Sequence, residues 1–209
     1  MKSIFSDGLS WSQNLVPKEG NVQLLQNFFS QAEAESYFGS ITEKSPWRQD
    51  PIKIFGKLIL QPRLTAWVGD EGARYRYSGL NLQPAPWSAE LGSIKVRLES
   101  GTGFKFNSAL LNLYRDGRDS MGWHRDNEPE LGPNPVIASV SLGATRLFKL
   151  RHYQDKALKL DIPLENGSVL IMQGSTQHFW EHSIPKTSRP VGPRLNITFR
   201  LVDISLSDV

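Results

Sequence analysis

The sequence contains no cysteine, which removes disulfides, thiolate zinc sites and cysteine nucleophiles together. Any metal must then be held by histidine, aspartate or glutamate, and only four histidines are present. No run of about 18 apolar residues is available to span a membrane. The opening Met1 to Asp7 lacks the apolar core of a secretory signal, so a cytoplasmic protein with no membrane partner is expected. Repeats and low-complexity segments are absent too. At 209 residues the chain fits one domain, 1–209, long enough to enclose a buried site. A monomer is the expectation.

The net charge of +3 is unevenly placed. Residues 51–80 hold Lys53, Lys57, Arg63, Arg74 and Arg76 against Asp70 and Glu71, a surplus equal to that of the whole chain. The aromatics Phe55, Trp67, Tyr75 and Tyr77 are interleaved with them. That combination suits a surface that tracks phosphates and stacks bases. An ordinary solvated face over core aromatics is the plainer alternative.

Two helices stand out. Ser30-Gln31-Ala32-Glu33 reads as a capping box, Ala34, Tyr37, Phe38 and Ile41 recur at helical spacing behind it, and Pro46 ends the segment. A second helix starts at Ser88, carries Leu91, Ile94 and Leu98 on one face, and stops near Gly101 to Gly103. Leu24 to Phe29 is strand-like, and Ile52 to Leu58 and Leu64 to Val68 read as short strands. Beyond Phe104 the pattern turns mainly to strand: Leu110 to Tyr114, Pro135 to Leu142, Arg146 to Arg151, Leu158 to Ile162, Ser168 to Met172 and Arg194 to Val202. Many short strands with turn residues between them predict a mainly β, α+β fold with flanking helices, a sandwich or jelly-roll barrel.

The chemistry centres on Gly122-Trp123-His124-Arg125-Asp126. On an extended strand His124 and Asp126, two apart, point to the same side and can share a metal ion. His182, after the strand Ser168 to Met172, is the candidate third ligand, aimed from the opposite sheet into a common mouth; His178 is its rival, four residues earlier. Two histidines and one carboxylate suit non-haem Fe(II). His152 is read as a structural histidine. In Arg194-Leu195-Asn196-Ile197-Thr198-Phe199-Arg200, alternation puts Arg194, Asn196, Thr198 and Arg200 on one face. Two inward arginines need anionic partners, and a dicarboxylic cosubstrate would satisfy both.

Five motifs in order then carry a resemblance: Asn112-Leu113-Tyr114-Arg115-Asp116-Gly117, His124-Arg125-Asp126-Asn127-Glu128, Ile137-Ala138-Ser139-Val140-Ser141-Leu142-Gly143, His182-Ser183-Ile184-Pro185, and the Arg194 to Arg200 strand. From about Phe28 to Val202 the sequence resembles the AlkB family of Fe(II)- and 2-oxoglutarate-dependent dioxygenases, which reverse alkylation damage on nucleic-acid bases. The resemblance implies a double-stranded β-helix (jelly roll) core over 104–203, preceded over 1–103 by helices and a nucleotide-recognition lid. It implies that His124, Asp126 and His182 hold Fe(II). It gives Arg200 the distal carboxylate of 2-oxoglutarate, with Arg194, Asn112 and Tyr114 contacting the cosubstrate in a pocket that Asn196 and Thr198 also line.

Phe55-Gly56-Lys57 and Arg74-Tyr75-Arg76-Tyr77-Ser78-Gly79 resemble the lid of members that act on DNA. On that likeness Tyr77 stacks on an extruded base with Tyr75 and Ser78 beside it, Glu128 meets polar groups of the base, and Phe55 fills the gap left in the duplex. The implied activity is oxidative demethylation of 1-methyladenine and 3-methylcytosine in DNA, single- or double-stranded, with RNA the other nucleic acid open to it. Dioxygen and 2-oxoglutarate are consumed, and succinate and formaldehyde leave. A hydroxylase of RNA or protein using the same cofactors is the alternative.

Overall fold

The computed structural model of the protein describes residues 11–54, 57–73, 75–77 and 80–206. Its core is two facing antiparallel sheets. The larger has six strands in the order β1 (Asn21–Leu25), β12 (Ser168–Gln173), β9 (Ile137–Gly143), β14 (Arg194–Arg200), β7 (Ser108–Tyr114) and β4 (Leu64–Gly69). The smaller runs β11 (Lys159–Leu164), β10 (Arg146–His152), β13 (Trp180–Ile184) and β8 (Met121–His124). This is the expected jelly roll, with short strands crossing between sheets so that distant segments become neighbours.

Helices α1 (Gln31–Lys44) and α2 (Ala89–Thr102) cover the outer face of the large sheet. Both begin where their caps dictate. The Ser30 side chain accepts from the Glu33 N–H while Glu33 reaches back to the Ser30 N–H, and Ser88 accepts from Leu91. The second helix ends at Gly103, in the left-handed conformation that glycine adopts without strain. Ile41, Leu91, Ile94 and Leu98 pack there against Leu111, Leu113, Leu195, Ile197 and Phe199. Leu110, Phe148, Leu150, Met172 and Ile184 fill the space between the two sheets.

Two hairpins, β2 (Pro51–Ile54) with β3 (Lys57–Leu60) and β5 (Tyr75–Tyr77) with β6 (Leu80–Leu82), stand apart as two-stranded sheets, where a lid was expected. The strand expected over Ile52 to Leu58 is therefore a hairpin. The strand expected over Leu24 to Phe29 closes at Leu25, because Asn27 takes a positive φ of 54° and turns Phe28 and Phe29 into the core. Arg63, counted in the basic stretch, is buried and belongs to the interior rather than to a phosphate-tracking surface. Among the described residues no helix is long and apolar enough to cross a membrane.

Two glycines give a test of this packing. Gly39 lies on an exposed face of α1 with nothing within 4 Å of an added Cβ, so Gly39→Ala should stabilise by about 0.5–1 kcal/mol. Gly167 has φ +77°, and an added Cβ would clash with the Phe29 carbonyl oxygen; Gly167→Ala should cost more than about 1 kcal/mol. Urea midpoints that moved in the same direction for both would contradict this structure.

Candidate metal centre

His124, Asp126 and His182 converge: one ligand atom from each lies within 4.8 Å of the others. Their arrangement differs from the expected one in two respects. Both histidines belong to the small sheet, where His182 of β13 is the direct partner of His124 on β8, with ring centroids 4.2 Å apart. Adjacent strands, and not opposite sheets, bring them together. Asp126 lies beyond the end of β8, so strand alternation does not orient it. Its backbone N–H donates instead to the Gln177 side-chain oxygen at 2.9 Å, and Arg200 Nη2 approaches its Oδ2 at 3.0 Å.

These contacts determine which atoms face a metal. Arg200 engages Oδ2 of Asp126, which leaves Oδ1 facing His124 Nε2 at 3.7 Å. His124 Nδ1 donates to the Gly122 carbonyl at 2.9 Å, so Nε2 keeps its lone pair. Bonds of about 2.1 Å to one ion separate two ligand atoms by roughly 3–4 Å, and the 3.7 Å gap fits. His182 packs nearly parallel to Phe148, centroids 5.2 Å apart. Burial pushes its pKa down to about 3, so the imidazole is neutral, as a ligand must be. Burial alone would raise Asp126, but the charge of Arg200 and then the two histidines hold it at about 2. The donor set thus fits Fe(II).

The large sheet supplies the rest of the cavity. Leu110, Asn112 and Tyr114 of β7, Ser139 of β9, and Arg194, Asn196, Thr198 and Arg200 of β14 line it together with the triad and Glu128. Period-two alternation is obeyed: Leu195, Ile197 and Phe199 lie in the cluster under the helices. Asn196 Nδ2 donates to Ser139 Oγ at 2.8 Å, and Thr198 Oγ1 to Asn196 Oδ1 at 3.2 Å, so these two are engaged with their neighbours. Arg194, 1 % exposed, donates through Nη2 to Ser141 Oγ at 2.9 Å and lies against the Tyr114 ring. Its Nε and Nη1 have no hydrogen-bond acceptor among the described residues. Burial lowers its pKa to about 10, so it stays protonated at neutral pH. Arg200 is therefore at the metal end, on Asp126, while the arginine still seeking an anion is Arg194, six residues or about 20 Å along the strand.

Arg63 was not foreseen at this site. It donates through Nε to Asn112 Oδ1 at 2.8 Å, which turns the Asn112 amide N–H groups towards other partners. Gln177 was also missed; nothing in its sequence context separates it from any buried glutamine. Ser139 and Ser141 could have been found, since they alternate inside an otherwise apolar strand. The rival His178 is excluded: it sits in the short helix α3 (Thr176–Phe179) and hydrogen-bonds the Pro133 carbonyl. His152 is held by Glu19 and by the Asp155 N–H. Of the lid residues, Phe55, Gly56 and Ser78 lie outside the described residues, as do the side chains of Tyr75 and Tyr77 on β5. Lys57 is exposed at the start of β3.

Similarity to known proteins agrees with this geometry. The profile of the 2OG-Fe(II) oxygenase superfamily matches residues 21–200. The Bos taurus protein named alpha-ketoglutarate-dependent dioxygenase alkB homolog 3 is 42 % identical over 190 residues, 87 % of this chain and 66 % of that protein. This chain therefore spans about two-thirds of the length of that relative. The Homo sapiens DNA oxidative demethylase ALKBH2 is 37 % identical over 207 residues, 94 % of this chain and 78 % of that protein. The solved structure of OsALKBH1 superimposes with a TM-score of 0.64 over 92 % of this chain and 100 % of that one; at 14 % identity the likeness concerns the fold.

The two buried ligands, Asp126 and His182, make the metal-free protein acid-sensitive. His182 titrates near 3 in the fold against 6.5 when free, so across that interval the unfolded chain binds the extra proton and stability falls as pH drops. Asp126, about 2 against 3.8, acts in the same direction at lower pH. The urea midpoint of the metal-free protein should decline from pH 6.5 towards 4, and His182→Gln should flatten that decline; parallel slopes would refute the assignment.

Proposed function

Because the chain belongs to the 2OG-Fe(II) oxygenase superfamily and, within it, to the AlkB homologues, we propose that it is an Fe(II)- and 2-oxoglutarate-dependent demethylase of N-alkylated bases in nucleic acid. The reading is supported above all by one observation. A two-histidine, one-carboxylate triad shares its cavity with a buried arginine whose Nε and Nη1 find no acceptor among the described residues. A buried unpaired guanidinium is costly, and a carboxylate in bidentate contact would relieve it. The name of the ALKBH2 relative favours DNA as the substrate, with 1-methyladenine and 3-methylcytosine the bases expected.

The contacts of the two arginines support a different division of labour from the one the family likeness suggests. Arg194, with Tyr114 against it, takes the distal carboxylate of 2-oxoglutarate; Arg200 holds Asp126 in its one-oxygen pose. Asn112, oriented by Arg63, presents its amide N–H groups to the cosubstrate between them. Iron, held by His124, Asp126 and His182, would activate dioxygen with electrons from oxidative decarboxylation of 2-oxoglutarate. Glu128 then meets the base: its buried Oε2 has no donor among the described residues, and an exocyclic amine of adenine or cytosine would supply one. Hydroxylation of the N-methyl carbon gives a hydroxymethyl adduct, which releases formaldehyde and leaves the repaired base. Phe148, Met121 and Met172 wall the cavity and keep bulk water from the reacting methyl.

Two replacements test this. His182→Ala should abolish both succinate and formaldehyde formation on methylated single-stranded DNA, and retained turnover would sink the ligand assignment. Arg194→Met should raise the KM for 2-oxoglutarate by at least about tenfold, the usual cost of leaving a charged hydrogen bond unmade. An unchanged KM would return the distal carboxylate to Arg200.

A further inference from the structure

The side of the small sheet that faces away from the metal carries two exposed aromatic rings, each met by cations. Trp123, 39 % exposed, lies under Arg151 at 4.0 Å. Tyr153, 48 % exposed, is met by Arg125 at 4.3 Å and Lys156 at 5.0 Å. The register places these groups on the outer face: Leu150 and His182, direct partners, point inward, so Arg151 and its partner Glu181 point out. Glu181 holds both Arg151 and Lys156 at 2.5 Å, whereas Arg125 rests on a backbone carbonyl, that of His178, at 2.8 Å. Three cations thus exceed that carboxylate by two charges around the rings.

The metal cavity opens beside this surface. The His124 side chain is 28 % exposed, while those of Asp126 and His182 are nearly enclosed, so the mouth lies on the β8 side. β8 is the edge strand of its sheet, and Trp123 precedes His124 on it. A chain leaving the cavity across that edge has one strand width, about 5 Å, to travel before it reaches the outer face. Resting on the demethylase reading above, we propose that this face is a stacking track for a single strand of nucleic acid continuous with the base in the cavity. Bases lie on Trp123 and Tyr153, and phosphates meet Arg125, Arg151 and Lys156. Exposed aromatic rings with cations laid over them suit an unpaired strand, whose bases can stack on a ring or on a guanidinium plane; a duplex hides its base faces. The shared ligand chemistry is a single-stranded polynucleotide, either DNA or RNA.

The test pairs binding with turnover. Anisotropy titrations of the full chain would use a long unmethylated single-stranded DNA, an RNA of the same sequence and the corresponding DNA duplex. Trp123→Ala and Tyr153→Ala should each weaken binding of the single strand by about tenfold, and Trp123→Phe and Tyr153→Phe should restore most of it. Formaldehyde release from a methylated mononucleotide, which has no flanking base to lay on the track, should be unchanged in all four. Loss on DNA, on RNA or on both supports the track and shows which sugar it accepts. Unaltered affinity for both single strands, an equal loss on the duplex, or a parallel fall in mononucleotide turnover would overturn it. Absence of formaldehyde release from the wild type would sink the demethylase reading instead, while the binding titrations would still decide on the track.

Discussion

The buried pair between Arg200 and Asp126 joins the two halves of the barrel. Arg200 ends the fourth strand of the large sheet, and Asp126 lies in the loop that leaves the edge of the small one. Neither charge could remain in this interior alone, since removing one partner of such a pair costs about 3–5 kcal/mol. The pair is therefore satisfied only when both sheets are closed on each other. Closure places Oδ1 of Asp126 where a metal needs it. Folding and assembly of the centre are, in this sense, one event.

The same economy governs β14 as a whole. Its outward residues, Leu195, Ile197 and Phe199, anchor the helices, while its inward residues, Arg194, Asn196, Thr198 and Arg200, form one wall of the cavity. A slip of one residue would exchange the two sets, driving two arginines into an apolar core. Register is thus enforced by the cost of that error. This is why the strand was legible from alternation alone, and the helix caps at Ser30 and Ser88 were legible for a comparable reason: a local hydrogen bond decides each.

What sequence reasoning missed depends on partners remote in the chain. Alternation implied that His124 and Asp126 share a strand, yet Asp126 is held off-strand by Gln177 and Arg200, residues 51 and 74 positions away. Pairing of β8 with β13 sets the two histidines side by side, and no spacing between positions 124 and 182 encodes that pairing. The basic count over residues 51–80 included Arg63, whose burial against Asn112 removes it from any surface. The roles of the two arginines followed the same pattern. Their common face was visible in the sequence, but which one meets Asp126 is set by where the loop after β8 returns.

That return is governed by a helix of one turn. Gln177 in α3 accepts from the Asp126 N–H, and the carbonyl of its neighbour His178 accepts from Arg125, so α3 grips both residues that follow His124. Directly after α3 the chain enters β13, which delivers His182. One short segment therefore links the loop that carries Asp126 to the strand that carries His182. Gln177 is fully buried, and its amide nitrogen lies 3.5 Å from Met172 Sδ, a weak acceptor on the large sheet. Its strong bond is the one to the metal-ligand loop, and its position is anchored by packing. The triad can thus be held in place before any metal arrives, which lowers the ordering entropy that binding must overcome.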